Sequence, residues 1–142
     1  MFDIPSKILL AEDDESLGML LQDFLELEGY EVTRANDGQE AVHLFRTNPF
    51  DLVVLDVMMP QKDGLTAARE IRGENKEIPI VFLTAKNMKE DMYKGFEAGG
   101  DDYITKPFDE TELAFRIEAL LKRAKPAGDQ PVEFPIGEFM FD

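Results

Sequence analysis

Asp51-Leu52-Val53-Val54-Leu55-Asp56 holds four consecutive apolar residues between two carboxylates. A run that is apolar without alternation suits a strand buried on both faces. Working outward, Ile8-Leu9-Leu10 has the same character, and Glu31-Val32-Thr33-Arg34-Ala35 alternates, as an edge strand does. The full set of predicted strands is Lys7–Ala11, Glu31–Ala35, Leu52–Leu55, Ile78–Leu83 and Asp102–Thr105. Amphipathic stretches separate them. Leu17, Leu20, Leu21, Phe24 and Leu25 follow helical spacing after Glu15, and Gly29 is a stop signal. Asp37 with Glu40, and Asp109 with Glu112, read as capping boxes. The first opens a helix carrying Ala41, Val42 and Phe45; the second opens one with Leu113, Ile117, Leu120 and Leu121 as its stripe. Leu65, Ala68, Ile71 and Arg72 suggest a third helix between them, and Met92, Tyr93 and Phe96 a fourth, ending near Gly99-Gly100. Five β-α units in succession predict an α/β fold, a doubly wound parallel sheet with helices on both faces.

Composition narrows the function. The 142 residues contain no cysteine, which excludes disulfides, thiol catalysis and thiolate metal sites. Thirty acids against 15 bases give a net charge of -15, a surface that repels phosphate backbones, so no nucleic acid is expected as a partner of this chain. No apolar run approaches the ~20 residues that span a bilayer, so no membrane partner is expected and the domain is expected to be soluble and cytoplasmic. The folded unit is expected over residues 1–124. Lys125-Pro126-Ala127-Gly128-Asp129-Gln130-Pro131 is linker-like, and Phe139 and Phe141 alternate beyond it. A lone strand does not stabilise itself. Residues 125–142 are therefore expected to be a linker and the opening of a further domain, or to dock back on the first.

In open parallel sheets the ligand site lies beyond the carboxyl ends of the strands. Those ends carry Glu12-Asp13-Asp14, Asp56, Thr84-Ala85 and Lys106-Pro107. Crowded carboxylates raise one another's pKa, and a hard divalent cation relieves the repulsion; oxygen ligands in a small pocket favour Mg²⁺. The single histidine, His43, falls on a predicted helix away from this rim, against zinc. A carboxylate beside Mg²⁺ can attack phosphorus, with Lys106 supplying charge and Thr84 a donor for the phosphoryl oxygens.

At this point the chain resembles the receiver domain of bacterial two-component response regulators, over about residues 6–124. The resemblance rests on Ile8-Leu9-Leu10-Ala11-Glu12-Asp13-Asp14-Glu15, Asp51 through Pro60, Asp63-Gly64, Leu83-Thr84-Ala85, and Gly99 through Phe108. It implies a flavodoxin-like (βα)5 sheet of strand order 2-1-3-4-5. It implies a phosphorylation switch rather than an enzyme, with Asp56 accepting a phosphoryl group from a sensor histidine kinase. Mg²⁺ would be held by Glu12, Asp13, Asp56 and the Met58 carbonyl, with Asp13 as direct ligand and Glu12 holding a coordinated water. Thr84 and Lys106 would grip the phosphoryl oxygens, Tyr103 would be the switch aromatic, and Lys106-Pro107 would be cis. Ile136 through Asp142 resembles the first strand of a winged-helix DNA-binding output domain, which would make DNA a partner of the intact protein. That subfamily pairs receivers through the face of helix four, strand five and helix five. Here the candidate contacts are Tyr93, Phe96, Glu97, Asp102, Glu112, Arg116 and Arg123. Met92 departs from the pattern, standing where a base is common, so a salt bridge to a partner's Glu112 would be missing.

Three rival functions stand beside this one, the first on the same fold. A flavin carrier needs a phosphate-cradling Ser, Thr and Gly loop after strand one, where this chain has Glu12-Asp13-Asp14-Glu15. An aspartyl-phosphate phosphatase resembles a DxD pattern, and the second acid's place is taken by Met58. A scaffold that never takes phosphate would have no use for the acid, threonine and lysine set. The acidic run also suits a helix N-terminus, where the dipole favours negative charge.

Overall fold

The computed structural model describes residues 4–59, 61–85, 97 and 99–124. Five strands, β1 (Lys7–Ala11), β2 (Glu31–Ala35), β3 (Leu52–Asp56), β4 (Ile80–Ala85) and β5 (Asp102–Lys106), form one sheet of order β2-β1-β3-β4-β5. Every pairing is parallel. Four helices are described: α1 (Glu15–Leu27), α2 (Gly38–Thr47), α3 (Gly64–Glu74) and α4 (Glu110–Ala124). The helix read through Met92, Tyr93 and Phe96 lies outside the described residues, as does the tail at 125–142. The helix expected as fifth is therefore α4 here.

The unbroken apolar strands are explained by two cores, one on each face. Leu9, Ala11, Val53, Leu55, Ile80 and Phe82 pack with Val42 of α2 and Ile71 of α3. The intervening Ile8, Leu10, Leu52, Val54, Val81 and Leu83 pack with Leu21 and Leu25 of α1 and with Leu113 and Ile117 of α4. Successive side chains point to opposite faces, so a strand covered on both sides must be apolar at every position. β2 lies at one edge, in line with its alternation.

Several local expectations change. β3 and β5 each run one residue further, to Asp56 and Lys106, and β4 spans Ile80–Ala85 rather than Ile78–Leu83. The N–H groups of Glu77 and Ile78 both donate to Asn75 Oδ1, which holds them in the turn after α3, and Pro79 has no N–H to give to a ladder. Leu20 is 51% exposed, outside the buried stripe of α1. Neither capping box is reciprocal. Asp37 accepts from the Glu40 N–H at 2.7 Å, but Glu40 Oε1 reaches back to the Asn36 N–H. Asp109 Oδ1 accepts from the Thr111 N–H, and the Glu112 N–H donates to the Asp109 carbonyl.

Register places the site. Ala11 pairs with Leu55, Asp56 with Leu83, Thr84 with Thr105 and Ala85 with Lys106. The carboxyl ends of β1, β3, β4 and β5 thus finish side by side.

Leu10→Ala empties a fully buried site on β1 and should cost about 2–5 kcal/mol, read as a lower urea midpoint. Leu20→Ala on the exposed side of α1 should stay within about 0.5 kcal/mol of the parent. Equal losses would mean that the α1 packing described here is wrong.

Candidate functional site

Each acid reaches the rim by a different device. Glu12 follows β1, and its N–H donates to the Ala35 carbonyl at the end of β2, 3.2 Å away. Asp14, two residues on, is the N-cap of α1 and accepts from the Leu17 N–H at 3.1 Å. The acidic run therefore serves two purposes: Glu12 and Asp13 turn to the rim, and Asp14 with Glu15 answers the positive end of the helix. Asp56 is the last residue of β3.

Glu12 and Asp56 are 1% and 5% exposed, an unusual burial for two carboxylates. Lys106 Nζ donates to Glu12 Oε1 at 3.0 Å and to Asp56 Oδ2 at 2.8 Å. The Asp14 N–H donates to Glu12 Oε2 at 3.1 Å and the Met58 N–H to Asp56 Oδ1 at 3.2 Å. Burial, with the hydrogen bond to Asp56 and its charge, raises the Glu12 carboxyl to about 7; the Asp14 N–H and Lys106 act against this. Burial works to lower the Lys106 ammonium, but its bonds to Asp56 and Glu12 outweigh it, and the net shift is upward.

Glu12, Asp13 and Asp56 each bring a carboxylate oxygen within 4.8 Å of the other two. One lysine cannot neutralise three carboxylates. An all-oxygen donor set with residual negative charge, one member exposed to admit water ligands, fits a hard divalent cation. The lone histidine, His43, is exposed on α2 and takes no part.

Thr84 is 2% exposed on β4, and its Oγ1 has no hydrogen-bond partner among the described residues. A buried hydroxyl left unpaired costs stability. Tyr103 pairs with Phe82 across β4 and β5, and the two rings meet edge-on with centroids 5.2 Å apart. The Tyr103 side chain is buried. Lys106-Pro107 is cis. The Met58 side chain is exposed.

Of the residues expected at a pairing face, Arg116 Nη1 binds both Asp102 oxygens at 2.7 and 2.9 Å, and Nη2 binds Glu112 at 3.1 Å. Glu97 and Arg123 are exposed; Tyr93 and Phe96 lie outside the described residues.

A 2-1-3-4-5 parallel sheet with buried acids bridged by a lysine at its carboxyl rim defines a receiver-type site, and the chain belongs to the response regulator receiver domain family, whose model matches residues 8–118. It is similar to the transcriptional regulatory protein RprY of Bacteroides fragilis, at 52% identity over 145 aligned positions, covering all of this chain and 61% of that protein. The alkaline phosphatase synthesis transcriptional regulatory protein PhoP of Bacillus subtilis is 45% identical over 121 residues, covering 85% of this chain and 50% of that one. The chain thus spans half to three-fifths of the length of these relatives. Among solved structures, the receiver domain of the sensor histidine kinase PA1611 of Pseudomonas aeruginosa PAO1 superposes with a TM-score of 0.78 at 32% identity, over 84% of this chain and 99% of that one. That structure has a magnesium ion coordinated in its active-site cleft.

Two predictions follow from this geometry. Without divalent cation, Glu12 keeps its proton in the folded state up to about 7 but loses it near 4.5 when unfolded. The folded state then binds the extra proton between these values, so Glu12 makes stability fall as pH rises through that window. Glu12→Gln should remove this component; identical slopes for parent and variant in pH-dependent thermal unfolding would contradict it. Thr84→Val should stabilise the unphosphorylated domain by about 1–3 kcal/mol, because it deletes an unpaired buried hydroxyl at nearly constant shape. A loss of stability in urea titration would mean that the hydroxyl is already paired.

Proposed function

We propose that Asp56 is the phosphoacceptor of a Mg²⁺-dependent signalling switch, loaded by a sensor histidine kinase. The observation that carries the reading is the cluster of Glu12, Asp13 and Asp56 carboxylates at the ends of β1 and β3, with Lys106 from the end of β5 bridging Glu12 and Asp56. Glu12, Asp13, Asp56 and the Met58 carbonyl would hold the cation, with Asp13 as direct ligand and Glu12 steadying one of its waters. Bound there, Mg²⁺ supplies positive charge to the phosphoryl oxygens and screens the acids from the incoming dianion.

In the transfer, an Asp56 oxygen forms the new bond to phosphorus. The bond from phosphorus to the donor histidine nitrogen breaks, and its electron pair leaves with the imidazole. Lys106, already 2.8 Å from Asp56, can follow the phosphoryl group as charge builds on its oxygens. The apolar groove lined by Leu17, Leu20, Pro107 and Phe108 has Lys106 on its wall and would offer the donor protein a surface beside the site.

The product carries more negative charge than the carboxylate and strong acceptor oxygens. Thr84, whose hydroxyl has no partner among the described residues, would turn to them, and Tyr103 would take the space it leaves. Reversing a 1:99 equilibrium needs about 5.5 kcal/mol. Two or three charge-assisted bonds of about 1.5–3 kcal/mol each supply that. The response would be receiver pairing through Glu97, Asp102, Glu112, Arg116 and Arg123 with Tyr93 and Phe96. Asp102, Glu112 and Arg116 would then exchange their bonds within the chain for bonds across the pair.

The chain acts as a stoichiometric switch rather than a turnover enzyme, since Met58 stands where a phosphatase has its second acid. Residues 125–142 would lead into a DNA-binding output domain, so transcription control belongs to the intact protein. The net charge of -15 leaves DNA contact to that other part.

A small acyl phosphate with Mg²⁺ should add one phosphoryl mass to the protein in intact-mass spectra, and Asp56→Asn should take up none. Equal labelling of that variant would place the acceptor elsewhere.

A further inference from the structure

The segment between β3 and α3 begins with Val57 and Met58 and ends at Asp63, the N-cap of α3. Three contacts hold it. The Met58 N–H donates to Asp56 Oδ1, the Gly64 N–H donates to the Val57 carbonyl at 2.9 Å, and Lys62 Nζ binds Glu70 of α3 at 2.5 Å. The fourth contact comes from α2. A Cβ on Gly38 would lie 1.9 Å from the Lys62 carbonyl oxygen, 2.7 Å from its carbon and 3.1 Å from the Asp63 carbonyl oxygen. These neighbours are backbone atoms, which cannot rotate aside as a flexible side chain does.

Gly38 is not among the glycines with positive φ, so its own backbone conformation does not require glycine. Glycine also weakens a helix, and Gly38 is the first residue of α2. What the position requires is the space. Gln61, by contrast, holds φ 65 without being glycine, which turns the segment sharply just before Lys62 reaches Gly38.

We infer that Gly38 is a positioning residue for the cation site: its missing Cβ seats the Lys62 and Asp63 backbone against α2, and so holds Met58 where its carbonyl can join the carboxylates of Glu12, Asp13 and Asp56. The inference rests on the reading of those residues as the Mg²⁺ site. Gly38 touches neither metal nor phosphoryl group. It acts through the segment, so its removal should weaken the cation rather than the chemistry.

The test is calorimetric titration of the whole chain with MgCl₂, together with acyl phosphate labelling across Mg²⁺ concentrations. Gly38→Ala should weaken Mg²⁺ by about tenfold, the low end of what losing a supporting contact costs a metal site. Its labelling rate should return towards that of the parent at saturating Mg²⁺. A merely structural role would instead lower the rate at every Mg²⁺ concentration and leave the affinity intact, which would overturn the inference. Gln61→Gly relaxes the turn and guards against a variant that fails to fold. Gly38→Ala should weaken Mg²⁺ by the same factor in that background, and equal affinities for Gln61→Gly and the double variant would also overturn it. A parent that binds no stoichiometric Mg²⁺ would instead overturn the reading of the site itself.

Discussion

One ammonium group between two buried carboxylates organises this molecule. Lys106 stands 3.0 Å from Glu12 and 2.8 Å from Asp56, residues that come from opposite ends and the middle of the chain. Buried carboxylates are costly unless paired, and a single lysine leaves this group short of positive charge. The shortage leaves Glu12, Asp13 and Asp56 as an all-oxygen cluster of the kind that could hold a hard divalent cation. A fully neutralised cluster would be a more stable fold and a poorer switch.

The sheet makes this crowding possible. Two cores grip it from both faces, so the strand ends are held in fixed register while their last side chains protrude beyond the apolar layers. Thr84 shows the same economy on a smaller scale. Its hydroxyl is buried with no partner among the described residues, a local cost that the rest of the core outweighs. Tyr103, packed on Phe82, sits on the neighbouring strand.

The fold was readable because apolar runs without alternation have few other uses, and because βα units repeat. The site was readable because its residues terminate those runs. What escaped the reading depends on geometry between distant segments. Leu20 follows helical spacing but falls on the exposed side of α1, since spacing alone does not say how wide the buried stripe is. Ile78 is apolar and next to a strand, yet the Asn75 side chain captures its N–H. Asp14 belongs to the same acidic run as Glu12 and Asp13 but spends its carboxylate on a helix end. Gly38 gave no signal at all: an Asp-Gly pair opening a helix says nothing about a carbonyl approaching from another loop.

The central claim is that Glu12, Asp13 and Asp56 form one cation site rather than a patch of ordinary surface acids. It is tested most directly by following backbone amide resonances of the domain during a Mg²⁺ titration. The account predicts that Asp13, Asp56 and Met58 shift together and saturate along a single binding curve. Small shifts spread over the acidic surface, with no saturation at these three residues, would contradict it.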